Sequence, residues 1–372
     1  MTERAAFLRR LAGAGGGGLE SAAADTDLSA GRRTASLDRL AELLDRRSAE
    51  TPQARAEADR LLADARDGLA ALARPDSGLN PAMRIGLEAI ILSDGSRPAV
   101  LVQDNRVDPT DPTLGGWVAD VRQGQPEIAD IARAVARVGL ALDVAEGVPD
   151  PAERCIGTAF AVADGVVATN RHVLQAIARP DPCAEGGWRF APGTVFDFGA
   201  EHERPPDPGR RFEPRLVRFA GPDEIGAKAD LAHLDLALIA LAPHAAGAFP
   251  KPLPLATDPE GVQPGLRLCA MGHPAAPVFG EVAERVLFRL FRDVFGVKRW
   301  SPGEVVAGPG GLPGDGVPPR CFSHDASTLG GSSGSCLVDL AGTWTVVGLH
   351  FGGCPQIENY AHALARIREH LP

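Results

Sequence analysis

The stretch Gly330-Gly331-Ser332-Ser333-Gly334-Ser335, running into the apolar Cys336-Leu337-Val338, decides how the rest of the chain is read. A serine between glycines at the mouth of a strand-like segment fits an exposed nucleophile on a tight turn. Gly331 and Gly334 let the backbone bend sharply and aim N–H groups at one point. Such a point can hold the negative oxygen that forms when a carbonyl is attacked. The same hexapeptide also fits a plain Gly/Ser turn between two strands. A base and an orienting acid elsewhere in the chain would separate the two readings.

From Arg154 onward, short apolar runs separated by Gly, Pro and Asp indicate many short strands. Residues 156–162, a turn at Ala163-Asp164-Gly165 and residues 166–169 predict a β-hairpin that delivers Asn170-Arg171-His172. Further strands are expected over 194–198, 215–219 and 234–241, the last carrying Asp235. A Pro-rich connector over 243–254 then separates a second β unit. In that unit the pattern predicts a strand over 266–271, a helix over 281–295, a Gly/Pro-rich loop over 302–319, the serine turn, a strand over 344–349 and a closing helix over 361–370.

Three motifs now stand in order. Gly157-Thr158-Ala159-Phe160 with Ala168-Thr169-Asn170-Arg171-His172-Val173 resembles the histidine segment of chymotrypsin-like serine peptidases. Leu234-Asp235-Leu236-Ala237-Leu238 resembles their aspartate strand, and Gly331-Ser332-Ser333-Gly334-Ser335 their serine turn. The resemblance implies a mainly β fold of two six-stranded antiparallel Greek-key barrels, about 152–245 and 252–366, and a serine endopeptidase that needs no cofactor. It implies Ser333 as nucleophile, His172 as base, Asp235 as the acid that fixes the histidine tautomer, and Gly331 and Ser333 N–H groups as the oxyanion hole. The chemistry requires such a trio, because a serine hydroxyl is a poor nucleophile until an imidazole accepts its proton.

Local residues resemble the glutamyl endopeptidase branch most. The run from His324 to Ser335 is similar to that branch's approach to its nucleophile, and Val347-Gly348-Leu349-His350-Phe351-Gly352-Gly353 to its specificity strand. The resemblance implies a substrate pocket of Thr328, His350, Phe351 and Gly352 that takes an acidic P1 side chain. That branch also uses a free N-terminal amine, which here lies inside the chain unless the helical region is cut off. Ser332 stands where pancreatic-type relatives carry an aspartate that pairs with a newly cut N-terminus, so that zymogen switch is expected to be absent.

Composition narrows the rest. With 372 residues there is room for two or three domains, and a formal net charge of −10 with interspersed signs argues against a nucleic-acid partner. No apolar run has membrane-spanning length, and the first ten residues lack a signal-peptide core. The expectation is a cytoplasmic protein with free thiols at Cys155, Cys183, Cys269, Cys321, Cys336 and Cys354.

Residues 13–18 match the dinucleotide pattern GxGxxG but follow a helix-like segment, so residues 1–35 are read as a flexible Gly-rich stretch. Residues 36–150 read as a helical adaptor region, with helices opening at Ser36, at Thr51-Pro52 and at Asn80-Pro81. A short strand is expected over 97–102 and another helix over 126–138. Such a region ahead of a peptidase, expected over 151–372, resembles effector enzymes of bacterial conflict systems and implies a regulatory protein partner. The alternative is a catalytically silent binding protein on a peptidase fold. Cys321-Phe322-Ser323-His324 and His350-Phe351-Gly352-Gly353-Cys354 have zinc-like spacing, but they fall within the serine turn and pocket strand, and no metal is expected.

Overall fold

The computed structural model describes residues 62–63, 66–67, 97–140, 155–226, 230–276, 290–354 and 358–372. The expected helices from Ser36 and Asn80-Pro81, and most of those from Thr51-Pro52 and over 281–295, lie outside these residues. Residues 62–63 and 66–67, within the second of them, are helical.

Two antiparallel sheets dominate. The chain enters through β1 (Val100–Gln103) and β2 (Arg106–Val107), then the helices α1 (Val118–Gln123) and α2 (Gln125–Ala134). Pro126 occupies the first turn of α2, where its missing N–H costs nothing. The expected helix over 126–138 stops at Ala134, and Val135–Leu140 continues directly as β3. Val135 and Val138 suit either helical or strand spacing, and their β-branched side chains pack well on a sheet. Pairing decides for strand: β3 lies between β4 (Cys155–Ala163) and a later strand, with Val135 opposite Phe160 and Val138 opposite Phe196. Strands of the first sheet therefore begin upstream of residue 151.

The hairpin of β4 with β5 (Val166–Thr169) forms as expected, with Gly165 at φ +62 in its turn. Helix α3 (Arg171–Ile177) follows, then a small ribbon of β6 (Ala178–Pro180) and β7 (Trp188–Phe190). The first sheet adds β8 (Thr194–Asp197), β9 (Arg211–Phe212), β10 (Pro214–Ala220) and β11 (Ala237–Leu241), in the order β10-β11-β5-β4-β3-β8-β9. Among the described residues no ladder joins its two ends, so this seven-stranded half-barrel replaces the six closed strands expected there. Asp235 lies two residues before β11 rather than within it.

The second sheet closes. Its barrel comprises β12 (Arg267–Gly272), β13 (Arg299–Ala307), β14 (Cys321–His324), β15 (Cys336–Asp339), β16 (Val346–Cys354) and β17 (Glu358–Ala363), and β1 with β2 extends the sheet by pairing Val100 with Trp300 on β13. The order β12-β15-β16-β17-β14-β13 returns through a β12–β13 pairing, giving a six-stranded barrel. The mainly β, chymotrypsin-like architecture is thus present, as one closed barrel and one half-barrel.

Two local expectations fail here. The first third of the loop expected over 302–319, residues 302–307, belongs to β13. Gly303 serves a close approach there, since a Cβ would lie 2.5 Å from the Ala326 backbone nitrogen. The closing helix is a 3-10 helix, Leu364–His370, because residues 361–363 finish β17.

Each barrel has its own core, and a third unites them. Phe196, Phe198, Phe212 and Ile239 fill the first, and Leu268, Phe322 and Leu337 the second. The uniting core joins Phe160, Leu236 and Leu238 to Met271 and Trp300, and takes in Trp117, Val121, Ile128 and Ile131. The segment before β3 therefore seals the junction between the two sheets.

Candidate active site

His172 is presented by the end of β5. Asn170 is extended (φ −80, ψ 154) and turns the chain into α3, whose first-turn N–H groups lack helical acceptors. Asp235 supplies one of them: its Oδ1 accepts from the His172 backbone N–H at 2.9 Å. Its Oδ2 lies 2.6 Å from His172 Nδ1. The carboxylate thus grips histidine backbone and ring together. Burial alone would raise the Asp235 pKa, but the adjacent His172 and the two hydrogen bonds outweigh it and hold the group below the usual carboxylate range. A carboxylate on Nδ1 places the ring's lone pair on Nε2, the nitrogen that could take a proton.

The serine turn has the geometry its glycines imply. Gly331 has φ +85 and Gly334 φ +91, a region where side chains are strained. Any Cβ at Gly334 would fall 1.9 Å from the Thr158 carbonyl oxygen. The Ser332 N–H donates to Leu329 O, Gly334 to His350 O and Ser335 to Ser332 O, each at 2.9 Å. Those of Gly330, Gly331 and Ser333 have no acceptor among the described residues, so donors remain for an oxyanion. Thr158 fastens this turn to the first barrel: its N–H donates to Ser333 O at 2.8 Å and its Oγ1 to Gly331 O at 2.9 Å. Ser333 is brought against β4, beside the strand that leads to His172. The described residues contain no hydrogen bond between Ser333 Oγ and His172. Such contacts are often long without substrate and tighten when it binds.

The residues expected in the substrate pocket divide. His350 is buried, with Nδ1 3.2 Å from His324 Nε2, and burial followed by the neighbouring His350 pushes the His324 pKa well below normal. Thr328 Oγ1 donates to Asn359 Oδ1 at 2.9 Å, and Asn359 Nδ2 holds Ala326 O at 2.7 Å. Gly352 pairs with Tyr360 across β16 and β17. Phe351 instead stacks on His362, with centroids 4.5 Å apart, and belongs to a core cluster with Cys321 and Tyr360.

Arg97 braces the wall that carries Thr328. Its guanidinium forms a 2.7 Å fork onto Asp325, and its carbonyl accepts from Ser327 Oγ at 2.6 Å. The partnerships of His324, Asn359, His362 and Arg97 were not legible beforehand, because each depends on cross-strand register. His273 is buried in the turn after β12, where its N–H donates to Thr158 Oγ1.

The sequence profile of the trypsin-like peptidase domain matches residues 157–349, the span from the Thr158 anchor through His172, Asp235 and Ser333 to β16. The chain belongs to the trypsin-like peptidase family. This peptidase is similar to a probable serine protease of Lysobacter enzymogenes, 31% identical over 332 residues, which span 86% of this chain and 83% of the relative. Among solved structures it resembles the active form of the Rv3671c protease from M. tuberculosis, at 19% identity, a TM-score of 0.39 and coverage of 66% of this chain and 82% of that one. The HtrA-type protease AlgW with a tripeptide gives 18%, 0.39, 65% and 60%. Superpositions this loose carry no argument, and the assignment to serine peptidases rests on the sequence matches.

Proposed function

We propose that this peptidase is an endopeptidase in which Ser333 attacks the scissile carbonyl, His172 accepts its proton, Asp235 orients the imidazole, and the Gly331 and Ser333 N–H groups hold the oxyanion. Proton return from His172 to the leaving amine gives an acyl-enzyme, which water hydrolyses with His172 again as base. The observation that carries this reading is the two-point grip of Asp235 on His172 beside a serine turn with unused N–H donors. Protein or peptide is the substrate class.

We read the pocket as favouring an acidic P1 residue. Support comes from Thr328 and from the His324–His350 pair, whose ring nitrogens lie 3.2 Å apart, since a hydroxyl and an imidazole are fitting partners for a carboxylate. We also read the upstream region as regulatory, because Arg97 joins it to Asp325 and Ser327 next to Thr328.

The test of the catalytic reading is fluorophosphonate labelling of the full chain, expected to be lost in Ser333→Ala. Labelling that persists would refute Ser333, and a native protein that neither labels nor cleaves a peptide library would be the silent scaffold instead. The same library should show cleavage after Glu or Asp, and a flat profile would reject the pocket assignment. For regulation, labelling rates are compared before and after cutting at a protease site inserted between residues 80 and 90. Equal rates would dismiss it.

A further inference from the structure

Asp235 lies outside the strand ladder, so its backbone polar groups need partners from side chains. Its carbonyl accepts from Asn170 Nδ2 at 3.0 Å, and its N–H donates to His362 Nε2 at 3.0 Å. Asn170 belongs to the same barrel as Asp235, but His362 comes from β17 of the other, the barrel that carries Ser333. We propose that His362 is a positioning residue that fixes the aspartate of the first barrel to the serine-bearing barrel, in one imposed tautomer. The proposal rests on the catalytic reading of His172, Asp235 and Ser333.

The protons along this connection have little choice. Nε2 of His362 accepts, so a neutral ring carries its hydrogen on Nδ1, which lies 3.4 Å from Cys321 Sγ. Cys321 faces His362 directly across the β14–β17 ladder, and its own S–H is aimed at Leu231 O at 3.4 Å. Arg320, next in sequence, donates to Ala232 O. The loop 231–235 is therefore stitched to the second barrel at Leu231, Ala232 and Asp235. Phe351 fixes the ring plane by stacking at 27°.

The ionisable groups around His362 are Asp235, Arg320, Asp315 and Cys321. Burial is the largest influence and keeps the imidazole neutral down to about 4, despite Asp235 and Asp315. Burial likewise keeps Cys321 a thiol, its pKa well above normal. The ring thus stays an acceptor above about pH 4. Among the described residues, every hydrogen bond to the Asp235 carboxylate comes from His172, so the direction of the carboxylate is set through its backbone, at Asn170 and His362.

The experiment uses the full chain. Fluorophosphonate labelling that Ser333→Ala abolishes is established first; without it the catalytic reading and this one fall together. Nitrogen NMR of histidine-labelled native protein should then show His362 with its hydrogen on Nδ1, and a hydrogen on Nε2 overturns the proposal. His362→Phe removes the acceptor and should lower kcat about 100-fold, the scale of a misplacement near 1 Å, with KM little changed. The acid limb of its kcat/KM profile should move to lower pH, because the carboxylate that stabilises the imidazolium is displaced. His362→Gln, whose Oε1 can stand in for Nε2, should recover kcat to within about fivefold of native. An unchanged kcat and pH profile in the Phe variant, or equal losses in both, would leave His362 a space-filling residue. Should the Phe variant not fold, Cys321→Ala is decisive: the Asp235 N–H alone should still hold the His362 hydrogen on Nδ1, and a hydrogen that moves to Nε2 with kcat unaltered counts against the proposal.

Discussion

An ionised carboxylate as buried as Asp235 is costly unless it is paired, and among the described residues the hydrogen bonds to it come from His172. That contact makes the direction of the hydrogen bond, and not merely the negative charge, the property under test. Asp235→Asn keeps the volume and leaves an oxygen for the His172 N–H. Its amide cannot serve both as that acceptor and as acceptor for Nδ1–H, so the ring should take the wrong tautomer. We expect kcat on a peptide substrate to fall about ten-thousand-fold with KM little changed, the scale seen when a triad aspartate becomes asparagine. A loss below tenfold would remove Asp235 from the mechanism.

At the scale of elements, the core before β3 belongs to the peptidase's own framework. Ile128 on α2 is fully buried, in the cluster that contains Leu234, Met271 and Trp300. Ile128→Ala should cost about 2–5 kcal/mol in urea unfolding, for lost burial and the cavity left behind. The unfolding should remain one transition, and a separate early transition would show α2 to be an independent module. The β4–β5 hairpin and the serine turn were legible because glycine at positive φ and alternating apolar runs are local signals. The end of α2 was not: Val135 and Val138 satisfy both periods, and only pairing with Phe160 and Phe196 chooses between them. Pro302 and Gly303 read as loop because the approach of Ala326 that requires a glycine is a tertiary fact. His172, Asp235 and Ser333 were legible as motifs in order. The contacts of His324 with His350 and of His362 with Asp235 were not, since those partners lie across ladders.

Across the whole molecule, buried histidines set the response to acid. Burial lowers the pKa of His273 and His324 well below the ordinary value and that of His362 to about 4. An unfolded chain binds protons at these groups near pH 6.5 while the folded chain does not, so unfolding takes up protons as the pH falls. Their contribution to stability is complete above pH 6.5 and is lost on descending toward each folded pKa, about 4 for His362. Lowering of the Asp235 pKa acts in the same direction at still lower pH. Each such histidine should add about 1.4 kcal/mol per pH unit to the slope of unfolding free energy between pH 6 and 4.5. Urea midpoints measured across that range should fall steeply. His362→Gln, which cannot titrate, should flatten the slope by about one proton's worth. If the native slope and that of the variant coincide, His362 already binds its proton in the folded state, and its ring could not be the acceptor that holds Asp235.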